Sequence, residues 1–274
     1  MSVSTGHGPL GESVVYPDSY RPDVLFAIAR QSGRDALDAQ FTFYGADVWT
    51  AYEISWLDLK GKPQVACGKF VIAASSDSIV ESKSFKLYLN SFNQHRLESK
   101  AELEALLISD LSACTGCRVA VQLFTPDEWH ALSINGEPLG RCLDGLDVAP
   151  QQYHPSAELL RCDDTQKASE QLYSHLLRSR CPVTSQPDWA SIIIDYSGPK
   201  IDEKALLLYL ISFREHDDFH EHCVERIFHD LSQHCRPDSL TVSARYLRRG
   251  GLDINPWRSS DPSLILPNHR LLRQ

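Results

Sequence analysis

With 274 residues, of which 42% are hydrophobic and 23% charged, the chain has room for one large domain or two small ones, each with its own core. A formal net charge of −9 argues against broad electrostatic attraction to nucleic acid or to an anionic membrane. No apolar run reaches the roughly 20 residues of a membrane span. The first residues lack the basic start and apolar core of a secretory signal, and eight cysteines without one suggest reduced thiols in the cytoplasm.

In chain order, residues 1–20 read as a loose tail. A literal G-x-G-x-x-G at Gly6, Gly8 and Gly11 has no strand before it and Pro9 inside it, so it is rejected as a dinucleotide fingerprint. Residues 49–57 and 65–74, rich in β-branched and aromatic side chains with Gly61 and Pro63 between them, predict neighbouring strands. Phe85, Tyr88, Leu89 and Phe92 fall on one helical stripe. Ser99 and Glu102 resemble a capping box for a second helix carrying Leu103, Leu106, Leu107 and Leu111 and ending at Gly116. A strand at 119–124 follows. Cys114 and Cys117 have redox or zinc spacing but no second pair, and read as unremarkable thiols near a turn.

The second half repeats the order: a strand at 189–196, a stripe of Leu206, Tyr209, Leu210 and Phe213, a stripe of Val224, Ile227, Phe228 and Leu231, and a strand at 240–247. An extra helix is expected around 166–177. Lys83, Leu87, Tyr88, Leu89, Ser91, Phe92 and His95 match Lys204, Leu208, Tyr209, Leu210, Ser212, Phe213 and His216, which points to duplication. The division is placed near Ala149 and Pro150, giving modules of 21–149 and 150–274.

Four segments could carry chemistry. Lys83 and Lys86 share a helix face near Ser84 and a helix N-terminus, which would suit a phosphate; a solvated lysine face is the plain alternative. The second copy replaces Ser84 with Ala205 and Lys86 with Leu207, so the polar set is particular to the first. The stretch from Arg178 to Trp189 reads as a loop held by Pro182 and Pro187. Aligning Pro63 with Pro187 sets Leu57 opposite Cys181 and Gln64 opposite Asp188. Arg178 and Arg180 would favour a Cys181 thiolate and an upstream helix C-terminus would oppose it; a buried inert cysteine is the alternative. His216, His220 and Cys223 could hold zinc, or Asp218 could start a capped helix whose first turn carries His220 and Glu221; a hydrophilic cap with its histidines, His222 among them, facing solvent is the plain alternative. Arg248, Arg249, Gly250 and Gly251 suit close approach to a phosphate, or form a basic turn.

Together, the segments around Glu81–Asn93, Cys181–Asp188, Phe213–Glu221 and Arg248–Pro256 resemble the nitrile reductases that act on 7-cyano-7-deazaguanine in queuosine biosynthesis, in their two-module form. The resemblance implies an α+β fold of tandem ββααββ tunnelling-fold modules, a homodimer, and NADPH as cofactor held by Lys83, Ser84, Lys86, Arg248, Arg249 and Gly250. It implies Cys181 as nucleophile and Asp188 as acid. It places His220 with the catalytic set and, beside Glu221, on the base, with Glu81 and Ser82 completing the pocket. No metal is implied, and the substrate is a small molecule rather than tRNA. The alternatives are a zinc-dependent cyclohydrolase-like hydrolase and a non-catalytic purine- or pterin-binding module.

Overall fold

The computed structural model describes residues 17, 19–37, 41–132, 134–135 and 137–274. Most of the expected tail, and the glycines at 6, 8 and 11, lie outside the described residues. In chain order the elements are β1 (Ala27–Ala29), α1 (Gln31–Arg34), β2 (Tyr44–Leu57), β3 (Pro63–Ala73), β4 (Ser78–Val80), α2 (Ser82–Asn90), α3 (Lys100–Thr115), β5 (Ala120–Phe124), β6 (Ile134–Asn135), β7 (Arg141–Cys142), β8 (Cys162–Ser174), β9 (Arg178–Arg180), β10 (Pro187–Ile201), α4 (Glu203–Ser212), α5 (His220–Cys235), β11 (Ser239–Tyr246), β12 (Leu252–Ser259) and β13 (Arg270–Leu271). The class is α+β with mainly antiparallel pairing.

Two compact units form. The first takes the chain up to Ser32 with Val48–Leu132 and Arg249–Leu252; the second takes Gly33–Asp47, Ser133–Arg248 and Asp253–Gln274. In the first unit β5, β3 and β2 lie side by side, and β1 pairs with β4. Phe85 of α2 packs against Trp49 and Phe70 at ring-centroid distances of 5.4 and 5.0 Å. The α3 stripe buries Leu103, Leu107, Leu111 and Thr115. Ser99 Oγ accepts from the Glu102 amide at 3.2 Å, and Gly116, at φ +73°, takes the left-handed conformation that closes the helix.

In the second unit β12, β11, β10, β8 and β7 are successive neighbours, and β9 folds back on the first residues of β10. Strand alternation sends Ala190, Ile192, Ile194 and Tyr196 of β10 and Leu240, Val242, Ala244 and Tyr246 of β11 into one core with Leu206, Leu210, Phe213, Val224, Ile227, Phe228 and Leu231 of the helices. The helix expected at 166–177 is instead strand β8. Gln166, Lys167, Ala168 and Glu170 favour helix, but a ladder with β10 running from Ser174↔Ile192 to Cys162↔Ile201 overrides that local preference. Likewise the stretch from Arg178 to Trp189 is a tight hairpin, since Arg180, Ser179 and Arg178 pair with Pro187, Asp188 and Trp189.

The matched residues of the two copies do the same work in each unit. Glu81 caps α2 and Asp202 caps α4. The Tyr88 hydroxyl donates to Asp110 at 2.6 Å and the Tyr209 hydroxyl to Asp230 at 2.7 Å. Ser91 and Ser212 each donate back to the carbonyl of that tyrosine at 2.6 Å. Phe92 and Phe213 meet the same tyrosine edge-on. The His95 carbonyl accepts from Leu57 N–H at 2.9 Å and the His216 carbonyl from Arg180 N–H at 2.8 Å.

That last pair corrects the alignment. Leu57 corresponds to Arg180, so Asp58 stands where Cys181 stands. Asp58 N–H donates to the Lys62 carbonyl as Cys181 N–H donates to that of Gln186, and the second turn is one residue longer. Gln64 still matches Asp188.

Candidate active site

The site in the second unit is built by strand parity. On β9, Ser179 faces inward opposite Asp188 in the hairpin register, and Cys181, two residues on, falls on the same side. The turn from 181 to 186 is closed by Cys181 N–H to the Gln186 carbonyl and Ser185 N–H to the Cys181 carbonyl, both 2.9 Å, with Ser185 at φ +53°. Cys181 and Asp188 are 6% and 3% exposed, so both lie inside the protein rather than on its surface.

His220 opens α5 after Phe219, which is the N-cap. Its Nε2 lies 3.2 Å from Asp188 Oδ2, and its ring stacks on Tyr246 at 3.9 Å and 13°. Tyr246 pairs across the sheet with Ala190, two residues from Asp188, which places the platform beside the acid. His220 Nδ1 is buried without a protein hydrogen-bond partner, a polar atom left for a ligand. Glu221 is buried in the first turn of α5, where the helix dipole favours a carboxylate.

Asp218 does not cap α5 from its side chain. It accepts from the Phe219 amide at 2.8 Å and bonds His216 and His222 at 3.3 and 3.0 Å. Burial works against its charge, but the two histidines prevail and hold its carboxyl below the usual range. For His222, burial is likewise overcome by Asp218, which raises it. His222 is therefore buried against Asp218 rather than solvent-facing. The three atoms gathered within 4.8 Å are those of His216, Asp218 and Cys223, not His220. Burial pushes the Cys223 thiol well up. Arg180 binds Asp217 through Nε and a terminal nitrogen, both at 2.9 Å, and Arg178 donates to the Arg214 carbonyl at 2.7 Å. Both guanidiniums expected to act on the thiol are thus engaged elsewhere.

In the first unit, both Glu81 carboxylate oxygens accept from backbone, Lys83 N–H and Ser84 N–H at 2.7 Å each. Burial raises this carboxyl against those bonds. Ser84 is fully buried, donating to the Glu81 carbonyl at 2.7 Å and accepting from Phe26 N–H at 3.0 Å. The N-terminus of α2 thus holds its own carboxylate where a phosphate was expected. Lys86 instead reaches Gly250: a Cβ there would stand 3.3 Å from its Cδ and 3.7 Å from its Nζ. The structure thus gathers Cys181, Asp188, His220 and Glu221 in the second unit, which also contains Arg248. Glu81, Ser82, Lys83, Ser84, Lys86, Arg249 and Gly250 fall in the first. The sequence reading missed Ser179 and Tyr246. Alternation along β9 points to the first; the second is brought in by non-local pairing.

Residues 16–123 match the family model for "Nitrile reductase, 7-cyano-7-deazaguanine-reductase N-term", and residues 187–263 match that for "QueF-like protein". Proteins named NADPH-dependent 7-cyano-7-deazaguanine reductase from Chromobacterium violaceum, Bordetella avium and Hydrogenovibrio crunogenus are 52%, 56% and 51% identical to the chain. The matches cover 98%, 92% and 97% of this chain and 97%, 93% and 96% of the relatives. The chain belongs to the 7-cyano-7-deazaguanine reductase family. Within this family member, the first matched stretch contains Glu81 to Lys86, and the second contains Asp188, His220, Glu221 and the glycine turn. The two matched stretches leave Cys181 between them.

Proposed function

We propose that this protein reduces the nitrile of 7-cyano-7-deazaguanine to the aminomethyl group with two NADPH, as a cytoplasmic homodimer of tandem ββααββ modules, 21–149 and 150–274, serving queuosine synthesis. The observation that supports the reading is the buried hairpin, whose register puts Cys181 on the same face as Asp188, itself 3.2 Å from His220. A nitrile carbon is electrophilic, and a thiolate is the side chain best suited to attack it. Addition of the Cys181 sulfur forms the C–S bond of a thioimidate, and the nitrogen takes a proton from Asp188. NADPH, when bound, supplies hydride, one equivalent to the thioimidate and one to the imine. Between these, the tetrahedral adduct breaks its C–S bond and returns Cys181 as thiol. The balance is one nitrile, two NADPH and two protons to one primary amine.

His220, fixed against Tyr246, keeps Asp188 oriented and offers Nδ1 to the substrate. Glu221 accepts from the N–H groups of the pyrimidine ring, a charge-assisted pairing, with Glu81 and Ser82 completing the pocket. Lys83, Ser84, Lys86, Arg248, Arg249 and Gly250 serve the cofactor; of these, the packing of Lys86 on Gly250 fits a phosphate-bearing group.

The test is to mix protein and nitrile without NADPH and weigh the intact chain. The expected adduct has the mass of one nitrile and is absent in Cys181→Ala; an adduct that persists in that variant overturns the assignment. A zinc hydrolase has one observation in its favour, the His216–Asp218–Cys223 group. The oxygens of Asp218 are already bonded to two histidines and an amide, and the Cys223 thiol is held protonated, so metal analysis of the purified protein is expected to find no stoichiometric zinc.

A further inference from the structure

Two cysteines of the second unit meet at the opposite end of α5 from His220. Cys235 is the last residue of α5 and belongs to the buried core. Cys162 is the first residue of β8 and packs against that core while staying partly exposed. The Cys162 Sγ lies 3.7 Å from the carbonyl oxygen of His234, and the two sulfurs are hydrogen-bond neighbours. The chain around them is held from both sides. Arg236, in the left-handed conformation at φ +44°, ends α5 and binds Asp164 at 3.2 Å, and Lys167 binds Asp238 at 3.1 Å. Asp202 N–H donates to the Arg161 carbonyl at 2.9 Å. Neighbouring sulfurs in a frame held this way can close to a bond with little backbone movement.

Cys162 also forms part of the wall of a cavity of about 500 Å³ in the same unit, with Arg141, Arg161, Lys200 and Lys204. The carboxylates of that wall are engaged. Glu203 binds Arg141 at 3.0 Å, Asp202 accepts from the Ala205 amide at 3.0 Å, and Asp163 accepts from Thr165 and Gln166. In a chain of net charge −9 this is a local cationic recess with a thiol in its wall. Such a recess draws an anionic reagent over a neutral one. We propose that Cys162 and Cys235 are a reversible dithiol–disulfide pair, oxidised through this cavity by a low-molecular-weight disulfide that carries carboxylates. The Cys162 thiolate attacks one sulfur of the reagent, whose S–S bond breaks and releases one small thiol once it takes up a proton. The Cys235 sulfur, giving its proton to solvent, then attacks the Cys162 sulfur and expels the second small thiol. Two protein thiols and one disulfide give one protein disulfide and two small thiols. Burial, with Cys162 beside it, pushes the Cys235 thiol up to about 12, so the partly exposed Cys162 reacts first. Cys181, Asp188, His220 and Glu221 all lie between the two positions in sequence, so the bond closes a loop around the whole candidate site and restricts the unfolded chain.

The test incubates the full chain with oxidised glutathione, or with neutral hydroxyethyl disulfide, and caps the remaining thiols before peptide mass mapping. Exposed Cys142 serves as the internal control for each reagent. The expected product is a linked Cys162–Cys235 peptide, absent in Cys162→Ser, while Cys235→Ser is expected to trap glutathione on Cys162. The double variant Lys200→Gln/Lys204→Gln is expected to slow linkage by oxidised glutathione about tenfold and to leave the rate with the neutral reagent within about twofold. Urea melts are expected to place the midpoint of the oxidised protein above that of the reduced one, with dithiothreitol reversing the shift and Cys162→Ser abolishing it. If Cys235→Ser does not fold, the linked peptide of the wild type and its loss in Cys162→Ser carry the test. Modified Cys142 with no Cys162–Cys235 link overturns the proposal, and so does a rate with oxidised glutathione that the two lysines leave unchanged.

Discussion

Replacing Glu225 with glutamine removes the carboxylate that two guanidiniums share inside the second unit. Glu225 Oε1 accepts from Arg258 Nε and a terminal nitrogen at 3.1 and 2.8 Å and from Arg34 at 2.7 Å, while Oε2 takes Arg34 Nε at 3.0 Å. Arg258 also reaches Asp47 at 2.8 Å, and all three of Arg258, Asp47 and Glu225 are essentially fully buried. Burial alone would raise the Glu225 carboxyl, but Arg258 and Arg34 outweigh it and hold it at about 2, against an ordinary 4.5. A folded value below the unfolded one stabilises the protein above the unfolded value, and that stability is lost as pH falls through the folded value.

The difference corresponds to about 3 kcal/mol at neutral pH, of which about 2 kcal/mol is lost by roughly pH 3. Breaking the buried pair should cost Glu225→Gln about 3–5 kcal/mol at neutral pH. Urea melts of wild type and variant across this range are expected to show the gap narrowing by about 2 kcal/mol toward the acid end. A gap that stays constant with pH would refute the electrostatic account and leave only packing.

The duplicated tyrosines supply a paired comparison. Tyr209→Phe strips Asp230 of its buried phenol donor and is expected to cost about 1–3 kcal/mol by denaturant melts, whereas in Tyr88→Phe the Tyr20 hydroxyl still donates to Asp110 at 2.5 Å and the loss should be smaller. Gly45 sits at φ +153°, and a Cβ there would stand 2.1 Å from the Trp257 carbonyl oxygen, so Gly45→Ala is expected to cost about 3 kcal/mol or more in the same assay. Asp188→Asn keeps the shape of the hairpin but cannot deliver a proton; steady-state NADPH oxidation should fall by about 10²–10⁴ in kcat while the protein stays folded.

Periodicity made α2, α3, α4 and α5 legible, because each buries one stripe against a sheet. It failed at β8, where Gln166, Lys167 and Glu170 carry a helical preference and only the pairing partner, β10, forces extension. The Cys181 turn was read one residue out of step because Pro63 and Pro187 align across an insertion that only backbone hydrogen bonds reveal. His220 and Glu221 were legible from a first-turn pattern. Tyr246 was not, because the stacking partner lies on a strand the chain reaches only after the whole of α5. The lysines of α2 were legible as a pair, yet the occupation of the helix start by Glu81 separates their roles and leaves Lys86 with the glycine turn.

The depth of Cys181 also sorts the eight thiols by reach. Cys142 is exposed, Cys114, Cys117 and Cys162 are partly covered, and Cys67, Cys181, Cys223 and Cys235 are buried. A bulky maleimide is therefore expected to mark Cys142 before any of the four buried thiols. Counting reacted thiols consequently measures the outer surface, and, on the proposed role of Cys181, a small nitrile rather than a general alkylating dye is the titrant for its sites.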